Sequence, residues 1–223
     1  MTLITDQFTL IGDIIGSRTV SDRAGLQHDI QAILDEENRR RRADASGSAG
    51  QDLETTVGDE FQGVYDSLAD AVNASLVLRL ALAERTGVDS RYGLGHGDIE
   101  RFDNGQDGPG WWSARTAIDR AKRAATAKRT PFARTCFSAW SEAGQIPDET
   151  EMSTNAFLLM RDAAIAQMSD RERVLFTGFM RGESQASLAA REGITQSAVS
   201  QSLSRSGAFA IEAAQSRLRG DLE

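Results

Sequence analysis

Two carboxylates stand where metal-assisted phosphate chemistry could be done. Asp13 lies near the end of the apolar run Phe8-Thr9-Leu10-Ile11-Gly12-Asp13-Ile14-Ile15. Asp59 follows 46 residues later, in Gly58-Asp59-Glu60, between Leu53-Glu54-Thr55-Thr56-Val57 and Phe61-Gln62-Gly63-Val64-Tyr65. Hard dications such as Mg²⁺ and Mn²⁺ take oxygen ligands, and two carboxylates beside a backbone carbonyl can hold one that carries the phosphates of a nucleotide. That chemistry requires the two side chains to meet at one end of a common scaffold.

The intervening pattern supplies such a scaffold. The first run, ending at Gly16-Ser17-Arg18, reads as a buried central strand. Ser21 and Asp22 can cap a helix carrying Leu26, Ile30, Ile33 and Leu34 at helical spacing. It runs into Arg39-Arg40-Arg41-Arg42 and then a small polar loop at 45–50. Residues 53–65 read as a hairpin with Gly58-Asp59 at its tip. A helix over 66–85 follows, then a strand over 90–99, a Gly- and Asp-rich loop over 103–110, a helix over 111–126 and an edge strand over 132–137. Strand, helix, hairpin, helix, strand, helix, strand is the order of a ferredoxin-like βαββαβ palm, an α+β fold. In such a palm the first strand and the hairpin are neighbours, which would bring Asp13 to Asp59.

Residues 141–152 are polar, acidic and interrupted by Pro147, so the pattern places a linker there, between a palm over 1–140 and an all-helical domain over 153–223. A length of 223 residues accommodates both. No apolar run approaches the roughly 20 residues of a membrane span, and the N-terminus has no basic region ahead of an apolar one, so a cytoplasmic protein is expected. Cys136 is the only cysteine, which excludes an internal disulfide and a thiolate zinc cluster within one chain. The net charge is −8, yet from Ser153 to Glu223 eight basic and eight acidic residues balance, so the excess lies in the first 152. An acidic domain joined to a neutral one suits a regulator better than a general nucleic-acid coat.

The helical end carries a second motif. In Gln185-Ala186-Ser187-Leu188-Ala189-Ala190-Arg191-Glu192-Gly193-Ile194-Thr195-Gln196-Ser197-Ala198-Val199-Ser200-Gln201-Ser202-Leu203, small Ala189 falls where two helices would cross. Gly193 falls at the turn, Thr195 at a helix cap, and Val199 and Leu203 on a buried face. This is a helix-turn-helix pattern, with Thr195, Gln196, Ser197, Ser200, Gln201 and Arg205 as the residues to meet double-stranded DNA. A capped support helix over 170–181 precedes it, and the stretch resembles the −35-reading region of sigma factors and related response-regulator domains. Arg205 is the main basic residue near the recognition helix, so one copy should bind weakly; a homodimer on a two-half-site operator is expected.

Ile11-Gly12-Asp13-Ile14-Ile15-Gly16-Ser17, Gly58-Asp59-Glu60-Phe61-Gln62 and Arg91-Tyr92-Gly93-Leu94-Gly95-His96-Gly97 resemble the core motifs of the class III nucleotidyl cyclase and GGDEF palm. Together with Gly108-Pro109-Gly110-Trp111-Trp112-Ser113-Ala114-Arg115 and the terminal helix-turn-helix, nearly the whole chain is similar to the SatD family of bacterial proteins. The resemblance implies Asp13 and Asp59 as metal ligands. It implies nucleotide contacts from Ile14, Gly16, Ser17, Arg18, Gly58, Glu60, Phe61, Trp111, Arg115 and Lys122.

Departures from active cyclases bear on turnover. Their third helix supplies an Asn four residues before a transition-state Arg, but the position four before Arg115 is Trp111. Leu53 to Val57 contain no base-selecting Lys, and Val57 replaces the first glycine of a GGDEF tip. Loss of transition-state donors removes rate while sparing ground-state binding. The expectation is therefore a one-component transcriptional regulator whose degenerate palm binds a nucleotide, with a divalent cation, and modulates DNA binding. The alternatives are an active metal-dependent cyclase or nucleotide hydrolase carrying the motif, and a constitutive DNA-binding dimer with a structural palm. Arg115, Arg120, Lys122, Arg123, Lys128, Arg129 and Arg134 could clasp phosphates, face DNA or form a solvated helix face.

Overall fold

The computed structural model describes residues 2–44, 51–56, 58–103, 105–140 and 148–220. They form β1 (Thr2–Ile14), α1 (Arg23–Asp44), β2 (Glu54–Thr55), β3 (Glu60–Tyr65), α2 (Leu68–Thr86), β4 (Ser90–Phe102), β5 (Gly105–Asp107), α3 (Pro109–Thr126), β6 (Thr135–Ala139), α4 (Asp148–Gln167), α5 (Asp170–Met180), α6 (Gln185–Glu192), α7 (Gln196–Arg205) and α8 (Ala208–Arg219). The expected loop at 45–50 lies outside the described residues.

One mixed sheet runs in the order β2-β3-β1-β4-β5, with β6 also on β4. β1 is antiparallel to both β3 and β4, whereas β6 is parallel to β4, joined to it by the α3 crossover. The chain is thus α+β. Alternation along β1 sends Leu10 and Ile14 to a core shared with α1, α2 and α4, and Ile11 to a smaller one shared with α3.

α3 begins with Pro109, whose fixed φ suits a first helical turn, and buries Trp111, Ala114, Ala117, Ile118 and Ala121 along one face. It can lie close to β4 because the strand residues beneath it are glycines. A Cβ at Gly93 would come 2.2 Å from the Ala114 carbonyl oxygen, and one at Gly95 would come 2.3 Å from the Ala114 nitrogen.

α2 is buried on nearly all sides along its middle, because it is enclosed between two layers. Val72 and Leu78 belong to the sheet-side core, while Leu76 and Leu80 pack with Leu175, Phe176, Leu188, Val199, Leu203 and Ile211 of the C-terminal helices. Burying each such leucine stabilises the junction by about 1.5–3 kcal/mol. The sequence-based linker therefore needs correction. Residues 148–152 are the start of α4, which buries Leu158 in the sheet-side core and Ile165 in the other; residues 141–147 lie outside the described residues.

Candidate functional site

Asp13 is central to a row across three strands: its register partner is Glu60 on β3 and Arg91 on β4. It shares the sheet face of Ile11, the face that α3 covers, so Arg115 and Lys122 of α3 reach the same end. Arg91 Nη1 donates to Asp13 Oδ2 at 3.0 Å, and Lys122 Nζ stands 3.6 Å from the same oxygen. Arg115 grips Glu60 with two bonds, at 2.7 and 2.6 Å. That hydrogen bonding, opposed by partial burial, holds the Arg115 guanidinium above its usual range. Three cations and two carboxylates thus alternate at the end of the sheet.

Asp59 reaches the same corner by another route. β1 ends at Ile14, Gly16 turns in the left-handed region at φ 74°, and the short 3-10 turn Ser17–Thr19 follows. Buried Ser17 donates its hydroxyl to Asp59 Oδ2, and Gln27 of α1 donates to the Gly58 carbonyl at 2.7 Å. The expected metal pair is therefore engaged otherwise: Asp13 is neutralised by Arg91 and Lys122, and Asp59 accepts from Ser17. Among the described residues no three His, Cys, Asp or Glu side chains are grouped to hold a metal ion. As arranged, this donor set does not fit a dication.

Three sequence-inferred nucleotide contacts turn out to be core side chains. Phe61 is fully buried, its ring filling the space over Gly12; Ile14 lies in the same core; and Trp111 packs with Ile11, Val64 and Ile99 beneath α3. Their rings and methyls are closed to a ligand. Trp112, half exposed, stacks edge-on with Trp140 at 5.4 Å. Arg18 and Gly58 are exposed at the corner.

The other cations of α3 divide. Arg120 pairs with Glu151 of α4 at 2.6 Å and Arg134 with Asp89 at 2.6 Å, while Arg123, Lys128 and Arg129 make no ion pair among the described residues. His96 is buried against Phe8, its Nε2 2.7 Å from Asp6, and Asp98 accepts from the Asp6 N–H, so neither belongs to the Asp13 corner.

A buried polar network went unread in the sequence. Asp162 of α4, fully enclosed, accepts the N–H groups of Arg134 and Thr135, both at 2.7 Å, and Arg79 Nη1 at 3.0 Å. Arg79 also binds Asp89 at 2.9 Å, two residues before Arg91. Adjacent Arg161 donates to the Val72 carbonyl and the Ser75 and Thr135 hydroxyls; burial pushes its guanidinium down to about 10, with Asp162 opposing. Neither α4 residue interrupts an otherwise helical pattern in a way that marks it. Arg91 was detectable, since it continues the alternation of Gly93, Gly95 and Gly97 onto the α3 face.

In the C-terminal helices, Gly193 ends α6 at φ 64°, and the Thr195 hydroxyl accepts from the Ala198 N–H at 3.1 Å. Val199, Ser202 and Leu203 are buried; Gln196, Ser197 and Gln201 are exposed, and Ser200 is half-buried. Arg205 is 3.3 Å from Glu172, whose carboxyl is held below its usual range by the Ser169 backbone N–H and hydroxyl, together with Arg205.

None of the curated proteins compared with the chain matches it. Among solved structures, one similar fold is a bacterial light-regulated adenylyl cyclase, 15% identical over 60% of this chain and 75% of that one, with a TM-score of 0.41. Another is the catalytic core of a rhodopsin-guanylyl cyclase with converted specificity, in complex with ATPalphaS. It is 16% identical over 53% of this chain and 73% of that one, with a TM-score of 0.37. The description that covers most of the sequence is a family one: the SatD family model matches residues 7–211, and the chain belongs to the SatD family.

Proposed function

We propose that the protein is a nucleotide-responsive transcriptional regulator, in which the βαββαβ palm binds the ligand and a helix-turn-helix made by α6 and α7 binds DNA. The observation that carries the reading is the set of cations around Asp13 and Glu60. Arg91, Arg115 and Lys122 come from two elements, converge at one end of the sheet, and are held in place by carboxylates rather than spent in a core. Phosphate oxygens can replace those carboxylates as acceptors, and a guanidinium already oriented loses little freedom on binding them. Arg18 and the turn at Gly58 would border the same ligand.

Release of Arg91 from Asp13 would bear on Asp89, two residues earlier, and through Arg79 on α2, whose other side packs against the DNA-binding helices. A ligand that favours one arrangement of this junction would shift the spacing of two recognition helices in a dimer. Exposed Leu3, Phe102 and Trp112 lie at the opposite sheet end, on or beside the paired strands β1, β4 and β5, and are available for such a dimer.

Isothermal titration with ATP, GTP, cyclic dinucleotides and alarmones tests the sensing role, followed by operator selection with and without the ligand that binds. Folded protein that takes none of them would end it. A second reading has one observation in its favour: Asp13 is the register partner of Glu60, the residue that follows Asp59. Cyclic product or pyrophosphate formed with Mg²⁺ or Mn²⁺, and lost in Asp13→Ala, would establish an enzyme instead.

A further inference from the structure

The opposite end of β3 opens on a cavity of about 520 Å³ between the sheet layer and the C-terminal helices. Glu60 begins β3 and Tyr65 ends it, so the cavity lies roughly 17 Å from the Asp13 corner. Its volume falls within the range of small-molecule sites, about 300–1,000 Å³.

Tyr65 lines this cavity, and its hydroxyl is buried with no hydrogen-bond partner among the described residues. Burial holds the phenol far above its usual range, so the group is a fixed neutral donor in want of an acceptor. Arg41 lies over the Tyr65 ring, 4.1 Å from its centroid, and among the described residues bonds to the Gln51 and Val64 carbonyls. Two neighbouring guanidiniums already have carboxylate partners, Arg40 with Glu37 and Arg42 with Asp52. The lining also holds Asp66, next to Tyr65 in the chain, Asp70 of α2, and Glu212 of α8, with Arg219 sharing Ser216 with Glu212. Among the described residues Asp66 has no ion pair or hydrogen bond, Asp70 accepts from the Ser67 hydroxyl and Glu212 from Ser216, with Phe179 of α5 supplying an apolar surface. One cavity thus holds two donors in want of an acceptor, Tyr65 and Arg41, together with a group of carboxylates.

We infer that this cavity is a second binding site, separate from the nucleotide corner, for a small zwitterion of the basic amino-acid class. Its carboxylate meets the Tyr65 hydroxyl and Arg41, and its side-chain ammonium or guanidinium meets Asp66, Asp70 and Glu212. A ligand here touches α1, β3 and α2 together with α5 and α8, so its occupation stabilises the packing of the C-terminal helices against the sheet layer.

Titration calorimetry of the full chain with L-arginine and L-lysine tests this, with agmatine and cadaverine as analogues lacking the carboxylate. Saturable binding of at least one amino acid is expected, with its analogue at least tenfold weaker. Tyr65→Phe and Asp66→Asn should each weaken binding about tenfold. Glu60→Gln at the other end of the strand should leave it unchanged. Tyr65→Phe removes only an unpartnered hydroxyl, so its thermal midpoint should not fall in the absence of ligand. No saturable heat with either amino acid would overturn the assignment, as would affinity indifferent to both substitutions. Nucleotide titrations on the same samples keep the two sites distinguishable.

Discussion

Asp13 and Arg91 face each other across β1 and β4, and the Arg91 guanidinium bonds to the carboxylate at 3.0 Å. With Lys122 at 3.6 Å, Asp13 is neutralised by the protein's own cations. A dication at this carboxylate would have to displace both.

Nucleotide binding is therefore expected to persist in excess EDTA, and to depend on the cations. Arg115→Gln removes a bidentate phosphate donor and should raise the dissociation constant at least tenfold, about 1.4 kcal/mol, measured by calorimetry. Binding that vanishes in EDTA and returns with Mg²⁺ would show that Asp13 exchanges Arg91 for a metal ion.

Gly12 should not accept a side chain. A Cβ there would fall 2.2 Å from Cζ of Phe61, whose ring is fully buried, so Gly12→Ala must push the ring out of the core. A destabilisation of about 1–3 kcal/mol is expected in urea unfolding. Combination with Phe61→Leu should recover part of it; additive losses would mean that the two positions do not compete for the same space.

Individual strands and helices were readable where a segment follows its own period: an apolar run for β1, helical spacing of Leu26, Ile30 and Ile33 in α1, and caps at Ser169 and Thr195. The pairing of β1 with β3 sets Asp13 opposite Glu60, the residue after Asp59. Phe61 and Trp111 were misjudged because motif resemblance marks positions and not the face a side chain takes; alternation along β3 sends Phe61 opposite to Glu60. The linker's far bound, at 152, was placed too late for a different reason. A polar, acidic stretch with a proline reads as linker, yet Asp148, Glu149 and Glu151 suit the first turn of a helix, where carboxylates meet the positive end of its dipole. The Arg79–Asp162–Arg134 network joins residues far apart in sequence, and no local spacing announces it.

Asp162→Ala would leave Arg161 buried without a carboxylate, Arg79 with Asp89 alone, and two N–H groups without an acceptor. Breaking a buried pair by removing one partner costs about 3–5 kcal/mol, so the urea midpoint should fall sharply. The loss should also loosen α4 from β6, read as faster amide exchange at Thr135. An unchanged midpoint would show that water replaces the carboxylate at no cost.

Cys136 is half-buried on β6, and burial with the nearby Asp162 charge pushes its thiol up to about 11. Thiolate is the reactive form, so at pH 8 alkylation by iodoacetamide should be far slower in the folded protein than in urea. The rate should climb through pH 10 to 11. Because the folded value exceeds the unfolded one, the folded state holds the proton more tightly, and stability from this group is present below pH 9 and lost as pH rises toward 11. A native rate at pH 8 equal to the unfolded one would place the sulfur in solvent.

Arg205 governs the last expectation, because it is the basic residue at the end of α7 and it is held by Glu172. Glu172 also forms the capping box of α5, accepting from the Ser169 N–H at 2.9 Å. Glu172→Gln keeps an acceptor for that cap while deleting the charge that holds Arg205. If α7 is the DNA-reading helix, the freed guanidinium gains a phosphate, and affinity for a selected operator should rise several-fold with a salt slope steeper by about one. Gln196→Ala and Gln201→Ala, whose side chains are exposed on the same helix, should weaken specific binding by about 1–3 kcal/mol each while leaving non-specific binding intact. Anisotropy titrations over a salt series separate the two effects. Indifference of DNA binding to all three substitutions would show that α7 does not enter a groove, and would leave α5 to α8 as a packing layer for α2.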